Sequence, residues 1–218
     1  REKFQKLYGR QLDADRGITK VTALETCGDG IHAMLIDGEN TLVSDPQRAH
    51  TEHALKQLDH LVVIDIFLTE TAQMADVVLP AASWAEVDGT LTNTERRIQR
   101  VRAAVNPPGE AKPDWWILSA LANAMSIPGF EYDSPKEVFN EMCSVAPIYA
   151  GVDWDMIDDG QYQWPVPYKG HPGTPRLHED GFISGKAIFK VIGFRNPAEV
   201  VDDEYPVWLT TGRRLNNY

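Results

Sequence analysis

Short apolar runs alternate with polar, helix-favouring stretches over the first eighty or so residues of the chain. IHAMLID, residues 31–37, is an apolar run of strand length that ends at Gly38. Asp45 followed by Pro46 supplies an N-cap and a first-turn proline, which predicts a helix through about Leu58. HLVVIDI, residues 60–66, is a second buried strand; TETAQMA then has a short helical pattern, and DVVLPA holds a third strand. Strand, helix, strand, helix, strand is the rhythm of an α/β domain whose parallel sheet is covered on both faces.

After Pro80 the pattern changes. WAEVDGTLTNTERRIQRV is polar and predicts a loop or hairpin, punctuated by PPGE at 107–110. Asp114 opens a helix with Trp115, Leu118, Leu121, Ala122 and Met125 on one face, ending before Pro128. Ser134, Pro135 and Glu137 form a capping box with proline in the first turn and start a further helix bearing Val138, Phe139 and Met142. Both helices are expected to pack on the sheet. From Pro147 to Asp180 the chain is rich in Pro, Gly, Asp and aromatic residues and reads as an ordered, irregular connection. Two strand-like runs follow, GKAIFKVI and YPVWLTT, as the opening of a second, all-β domain.

Composition narrows the function classes. With 43% apolar and 24% charged residues, the chain is that of an ordinary globular protein, and no apolar run is long enough to span a membrane. Thirty-two acidic against 21 basic residues give a field that repels phosphate backbones, which argues against nucleic-acid binding while leaving room for a local anion site. Cys27 and Cys143 are far apart and form no CxxC pair, so neither a disulfide framework nor a zinc or iron–sulfur site is expected. The first ten residues, REKFQKLYGR, carry no apolar signal core, and YPVWLTT leads into a final short loop; the polypeptide is expected to continue beyond Tyr218.

Ligands of open parallel sheets bind at the carboxyl ends of the strands, where loops and helix starts offer free backbone groups. Two such places lie side by side. Gly38, Glu39 and Asn40 follow the first strand, with Ser44 a turn later. Ile64 and Asp65 end the second, where an acidic residue either accepts from ribose hydroxyls or serves only as a turn residue; the GxGxxG fingerprint is absent. Asp114 is open to two readings, a helix N-cap worth about 1 kcal/mol or a carboxylate that accepts from guanine N–H groups. Glu95, Arg96 and Arg97 form either an anion site or a surface ion-pair network, and Arg213 with Arg214 sits where a phosphate loop could begin. The six histidines are scattered, and GxSxG, HExxH and Walker motifs are absent. On these residues alone the chain is a ligand-binding α/β domain joined to a β domain, with no reaction named.

A resemblance goes further. HLVVIDIFLTETAQMADVVLPAASWAEVDGTLTNTERRIQ, residues 60–99, resembles a signature region of the molybdopterin oxidoreductase superfamily, and of its formate dehydrogenases in particular. GEN at 38–40, KPDWW at 112–116 and YPVWLTTGR at 205–213 resemble further pieces of that family in the same order. The resemblance implies an internal fragment of a formate dehydrogenase large (alpha) subunit. Residues 1–146 would be part of a parallel-sheet αβα (Rossmann-like) dinucleotide-binding domain, 147–180 an irregular connection, and 181–218 the start of a C-terminal β-barrel. The implied cofactor is molybdenum or tungsten held by two molybdopterin guanine dinucleotides (bis-MGD), with an iron–sulfur cluster in a region N-terminal to this chain. Gly38, Glu39, Asn40, Ser44, Ile64, Asp65 and Asp114 then map to guanosine or pyrophosphate contacts, and Gly212, Arg213 and Asn217 to a loop that closes over the cofactor.

The family reaction oxidises formate to carbon dioxide and passes two electrons to an iron–sulfur cluster and on to iron–sulfur or flavin subunits. No catalytic or metal-ligating residue of that scheme falls in this chain, so the isolated piece is expected to be inactive. Expected partners are formate and the electron-transfer subunits, with no nucleic acid and no membrane insertion, in the cytoplasm. Three positions depart from the pattern: Thr41 replaces a Pro after GEN, Val87 stands where relatives carry Lys, and Asn216 with Asn217 replaces an aromatic residue and His. A scaffold like the large subunit of respiratory NADH dehydrogenase, which shows EGR where this chain has Glu95–Arg97, and a nitrate reductase are the competing members of the superfamily.

Overall fold

The computed structural model describes residues 1–210 apart from Leu12, Ala14, Arg16, Ile183 and Ala198, and the chain divides into two units, Arg1–Pro175 and Arg176–Tyr218. In the first unit, β1 (Ala33–Asp37), β2 (His60–Asp65) and β3 (Val77–Pro80) form a parallel sheet in the order β1-β2-β3. The register sets Asp37 beside Ile64 and Asp65 beside Pro80, so all three carboxyl ends lie along one edge. Their β-branched and leucine residues alternate between faces with the period of two that a pleated strand imposes.

One face is closed. Ile36, Leu61 and Val63 share a core with Leu24 of α2 (Lys20–Glu25), Leu42 of α3 (Thr41–Ser44) and Ala54 and Leu55 of α4 (Arg48–Leu55). The other face is covered at its carboxyl end, where Ile64 meets Ala81 and Ile117 of α5 (Asp114–Ala124); Leu35 and Val77 on the same face are each 38% exposed. The expected covering of both faces is therefore met on one face and only partly on the other. The reason is where the last helix goes: α6 (Pro135–Val145) packs its Phe139 and Cys143 into a separate core with Ile98, Val152, Trp154, Ile157 and Val166. Ile98 belongs to the antiparallel hairpin of β4 (Gly89–Thr92) and β5 (Ile98–Val101), which resolves the loop or hairpin expected after Pro80. α1 (Glu2–Tyr8) joins this group through the Tyr8 hydroxyl, which donates to the Glu141 carboxylate.

Several local expectations change. No helix starts at Asp45, whose backbone is extended and whose carboxylate is ion-paired to Lys20 at 2.6 Å; α3 begins directly at Thr41 and α4 only at Arg48. α5 starts at Asp114 as expected, but it buries Ile117, Ser119 and Ala122 and leaves Leu118 and Met125 exposed. DWWILSALANA is apolar on most sides, so periodicity cannot select the buried stripe. The Ser134 capping box does not form: the Ser134 hydroxyl makes no cap bond, and Glu137 accepts from the Asp133 N–H at 2.8 Å, one residue ahead of the cap. TETAQMA contributes one 3₁₀ turn, Ala72–Met74.

In the second unit the strands expected at GKAIFKVI and YPVWLTT do not form among the described residues. Phe189, Val191 and Ile192 are almost fully solvent-exposed. A strand exists only as one side of a hydrogen-bonded ladder, and among the described residues these runs have no ladder, only a local bridge between Phe182 and Gly185. What order there is comes from local turns, such as the Asp202 carboxylate accepting from the N–H groups of Glu204 and Tyr205 at 3.0 and 2.7 Å.

Candidate functional site

The carboxyl edge of the sheet is assembled from three loops. After β1 the chain turns at Gly38, whose φ of 64° is left-handed and whose N–H donates to the Ile64 carbonyl at 2.9 Å. The turn delivers Glu39 and Asn40 to the start of α3. Asn40 Oδ1 accepts from the Thr71 hydroxyl at 2.9 Å and from its N–H at 3.3 Å, while Nδ2 donates to Glu70 at 2.7 Å. Lys20 bridges Glu39 and Asp45, and Ser44 Oγ donates to the same Glu39 carboxylate at 3.1 Å. The Lys20 ammonium holds Glu39 below the usual glutamate range, with burial opposing and the Ser44 hydroxyl assisting.

The second loop follows β2. The Ile64 side chain is fully buried, and its carbonyl is taken by Gly38, so Ile64 shapes this edge from beneath. The Asp65 carbonyl accepts from the Ala81 N–H at 3.0 Å, and its carboxylate has one long contact, 3.4 Å, with the Phe67 N–H. Ile66, Phe67 and Leu68 beyond it are exposed.

The third loop reaches the same edge by a short bridge. Lys112 N–H donates to the Pro80 carbonyl at 3.1 Å and Ala82 N–H to the Lys112 carbonyl at 2.8 Å. This pairing lays residues 112–114 alongside the end of β3 and brings Asp114 into line with the other two. Pro113, not Asp114, occupies the N-cap position, and Asp114 is the first residue of α5. Its position at the positive end of α5 favours a carboxylate, yet its pKa is raised. Burial is the main cause, followed by the charges of Asp37 and Asp65. The Asp37 carboxyl is raised in turn by burial and then by Asp65.

Asp37, Asp65 and Asp114 thus lie along one edge of the sheet, and among the described residues neither Asp37 nor Asp114 has an ion-pair partner within 4 Å. The sequence reading brought Asp65 and Asp114 forward and missed Asp37. Its signal was present: Asp37 ends AMLID as Asp65 ends LVVID, in the same strand-terminal place. Glu95, Arg96 and Arg97 lie outside the row and act locally. Arg97 pairs with Glu95 at 2.9 Å, and Arg96 donates to the carbonyls of Trp164 and Pro175. Gly212, Arg213 and Asn217 lie outside the described residues.

The chemistry of the row is that of an acceptor set. Carboxylates with spare lone pairs suit a ligand that presents N–H and O–H groups, as the hydroxyls of a ribose and the N1–H and N2–H₂ edge of a guanine do. They oppose a phosphate, because Lys20 is already shared between two carboxylates. Among the described residues no group of three or more His, Cys, Asp or Glu side chains is placed to hold a metal ion. Both cysteines are free thiols, and burial pushes Cys143 up to about 11, so it is neutral at ordinary pH.

The family model of molybdopterin oxidoreductases matches residues 8–124. An F420-dependent formate dehydrogenase subunit alpha of Methanocaldococcus jannaschii is 45% identical over 218 residues, covering 99% of this chain and 32% of that protein. The F420-dependent formate dehydrogenase 1 subunit alpha of Methanococcus maripaludis is 44% identical over 220 residues, covering 100% of this chain and 33% of its own length. The chain therefore spans about a third of the length of these curated relatives. Among solved structures, acetylene hydratase from Pelobacter acetylenicus superposes with a TM-score of 0.54 at 23% identity, over 76% of this chain and 23% of that one, which is a likeness of fold.

Proposed function

We propose that this chain, which belongs to the molybdopterin oxidoreductase family, is the part of a formate dehydrogenase large subunit that binds the nucleotide end of its cofactor. Membership of the family implies a molybdopterin cofactor with molybdenum or tungsten. The proposal adds the guanine dinucleotide form of that cofactor and an iron–sulfur cluster carried by another part of a longer polypeptide. It also adds formate as substrate, electron-transfer subunits as partners and a cytoplasmic setting. Support for the substrate comes from the methanogen relatives, at 44–45% identity across the whole chain.

The observation that carries the reading of the site is the row of Asp37, Asp65 and Asp114 across the carboxyl edge of the sheet. Asp65 would accept from ribose hydroxyls, and Asp114 from the N–H edge of guanine. The loop of Gly38, Glu39, Asn40 and Ser44 fixes the wall of the site, with Ile64 packed beneath it. Gly212, Arg213 and Asn217 are proposed as part of a closing segment, and 181–218 as the opening of a further domain. When bound, the metal–pterin group supplies the two-electron redox chemistry; this chain's residues bind it, orient it and keep its nucleotide end in place. The Lys20–Glu39 pair braces the loop without reaching into that chemistry.

The test uses the full-length polypeptide that carries this chain. Formate-dependent dye reduction, metal content and released guanine nucleotide are measured in parallel for the wild type, Asp65→Ala and Asp114→Ala. Formate activity in the wild type, with nucleotide and metal lost together in both variants, is expected. A cofactor-loaded protein that reduces no dye with formate overturns the substrate. Variants that keep their full nucleotide content overturn the site.

A further inference from the structure

We propose that the outer side of α5 carries a ligand site of its own, a cleft that takes a small N-alkylated ammonium ion of the choline type. The cleft shares no residue with the carboxylate row at the sheet edge, and the proposal stands independently of the cofactor reading. Its place in the fold, its aromatic walls and its charge point the same way.

The cleft forms where the chain leaving α5 folds back along that helix. Ile127 N–H donates to the Ala122 carbonyl at 2.9 Å, and Gly129, at a φ of 91°, turns the chain. The segment from Phe130 to Asp133 then faces Trp116 and Asn123 of α5, and together they line a space of about 280 Å³. Sites for drug-sized molecules run to roughly 300–1,000 Å³, so this one suits a smaller ligand.

Three aromatic rings, those of Trp116, Phe130 and Tyr132, line this one cleft. The Phe130 and Tyr132 rings stand nearly at right angles, with centroids 6.4 Å apart and 80° between their planes. The face of each ring attracts a cation through its quadrupole, and rings set at an angle wall a cation on more than one side. Trp116 already takes one cation: Lys112 Nζ lies 5.7 Å from its ring centroid, while Lys112 lines the neighbouring apolar cavity with Leu79 and Ile117 and not this cleft. Burial and then the Glu141 carboxylate raise the Tyr132 pKa, so its phenol stays neutral. Trp116 and Phe130 are 44% and 37% exposed, so a ligand reaches them without any unfolding.

Charge then selects the class of ligand. The charged side chains lining the cleft are Glu131 and Asp133, and among the described residues neither has an ion-pair partner within 4 Å. Glu131 accepts from the Gly129 N–H at 3.0 Å and keeps lone pairs free. Two carboxylates repel a phosphate or a carboxylate ligand. They are too few for a bare metal ion, and among the described residues no group of three or more His, Cys, Asp or Glu side chains could hold one. A primary ammonium is strongly hydrated, and so open a cleft does not strip its water. An N-methylated ammonium gives up less water and presents its charge through methyl groups, which pack on ring faces while the carboxylates neutralise it.

The experiment titrates choline into the full-length polypeptide that carries this chain and follows saturation transfer to its N-methyl protons by NMR. Dimethylbutanol, the uncharged isostere with carbon in place of nitrogen, is titrated beside it. Trp116→Leu and the double variant Glu131→Gln with Asp133→Asn are compared with the wild type. Because the rings and carboxylates are partly solvated, the expected dissociation constant for choline is on the order of 1 mM. Dimethylbutanol is expected to bind at least about tenfold more weakly, and each variant to weaken choline at least about threefold. Urea unfolding shows whether each variant is folded, and if Trp116→Leu is not, the double variant, which changes only exposed side chains, decides. Absence of choline binding up to about 50 mM, some fifty times the expected constant, overturns the proposal. So does equal binding of the uncharged isostere, which would leave an apolar cleft only, or an unchanged choline affinity in the double variant.

Discussion

Thr71 is fully buried and its hydroxyl donates to Asn40 Oδ1 at 2.9 Å while accepting from the Leu42 N–H at 3.0 Å. The pair ties the loop after β1 to the 3₁₀ turn after β2. One side chain of the GEN sequence thus uses its oxygen to hold two neighbouring strand-end loops at a fixed separation. Asn40→Ala leaves the Thr71 hydroxyl without its acceptor, and leaving a buried polar group unsatisfied costs about 1–3 kcal/mol. The predicted outcome is a fall in the unfolding free energy of that order, read from urea denaturation, with reduced guanine nucleotide retention in the full-length subunit. Unchanged stability would show that the two loops are held by other contacts.

The carboxylate row predicts an unusual response to pH. Asp37 and Asp114 both have folded pKa values raised above the ordinary range by burial and by like charge. Protonation in the folded state relieves that repulsion, so the favourable contribution is full below the ordinary carboxylate range. It is lost as pH rises through the raised folded values, leaving a penalty at neutral pH. Asp37→Asn is accordingly expected to stabilise the ligand-free chain at pH 7 by something under about 1 kcal/mol, with the gain vanishing near pH 4. Thermal unfolding of wild type and variant at both pH values tests this. A loss of stability at pH 7 would mean that the Asp37 carboxylate makes a favourable contact.

How much of this could be read from the amino acids differs from element to element. The three strands were legible because AMLID, LVVID and DVVLP are short apolar runs bounded by Gly, Asp and Pro, and a loop or hairpin because a polar stretch follows Pro80. Asp45–Pro46 was misleading: a helix-start signal is also a good turn signal, and the tertiary partner Lys20 decided between them. The placement of α6 on the hairpin rather than the sheet depends on Trp154, Ile157 and Val166, which lie in a stretch with no periodicity. Asp37 escaped notice because a strand-end Asp is common; the register sets it beside Ile64, next in sequence to Asp65, and only the fold brings its charge to bear on Asp114.

Lys20 acts as a latch between α2 and the loop after β1. Burial lowers its pKa and the bonds to Asp45 and Glu39 more than offset this, so the net shift is upward, while Glu39 is shifted downward. The latch therefore holds at neutral pH. Its Glu39 part is lost as pH falls through the lowered glutamate value, and the whole is lost as pH rises through the raised lysine value. All three side chains are partly solvated, so Lys20→Ala is expected to cost only about 0.5–1 kcal/mol, and less in high salt. Faster exchange of amides 38–45 in the variant is the corresponding dynamic signature. A cost that is insensitive to salt would point to lost packing of the lysine stem.

Gly151 makes the strictest steric demand in the first unit. Its N–H donates to the Val166 carbonyl at 2.7 Å, and a Cβ at this position would overlap the Tyr168 carbonyl. The neighbour is backbone, so no rotamer change can relieve the contact, and the two segments would have to move apart. That movement would open the core of Ile98, Trp154, Ile157 and Val166, three of which are at most 1% exposed. Gly151→Ala is expected to cost more than about 2 kcal/mol, whereas Gly109→Ala, where the added methyl meets open space but φ is 54°, should cost about 1 kcal/mol. Chemical denaturation of the two variants side by side checks the ranking. Equal costs would show that backbone conformation, and not close approach, sets the requirement for glycine at 151.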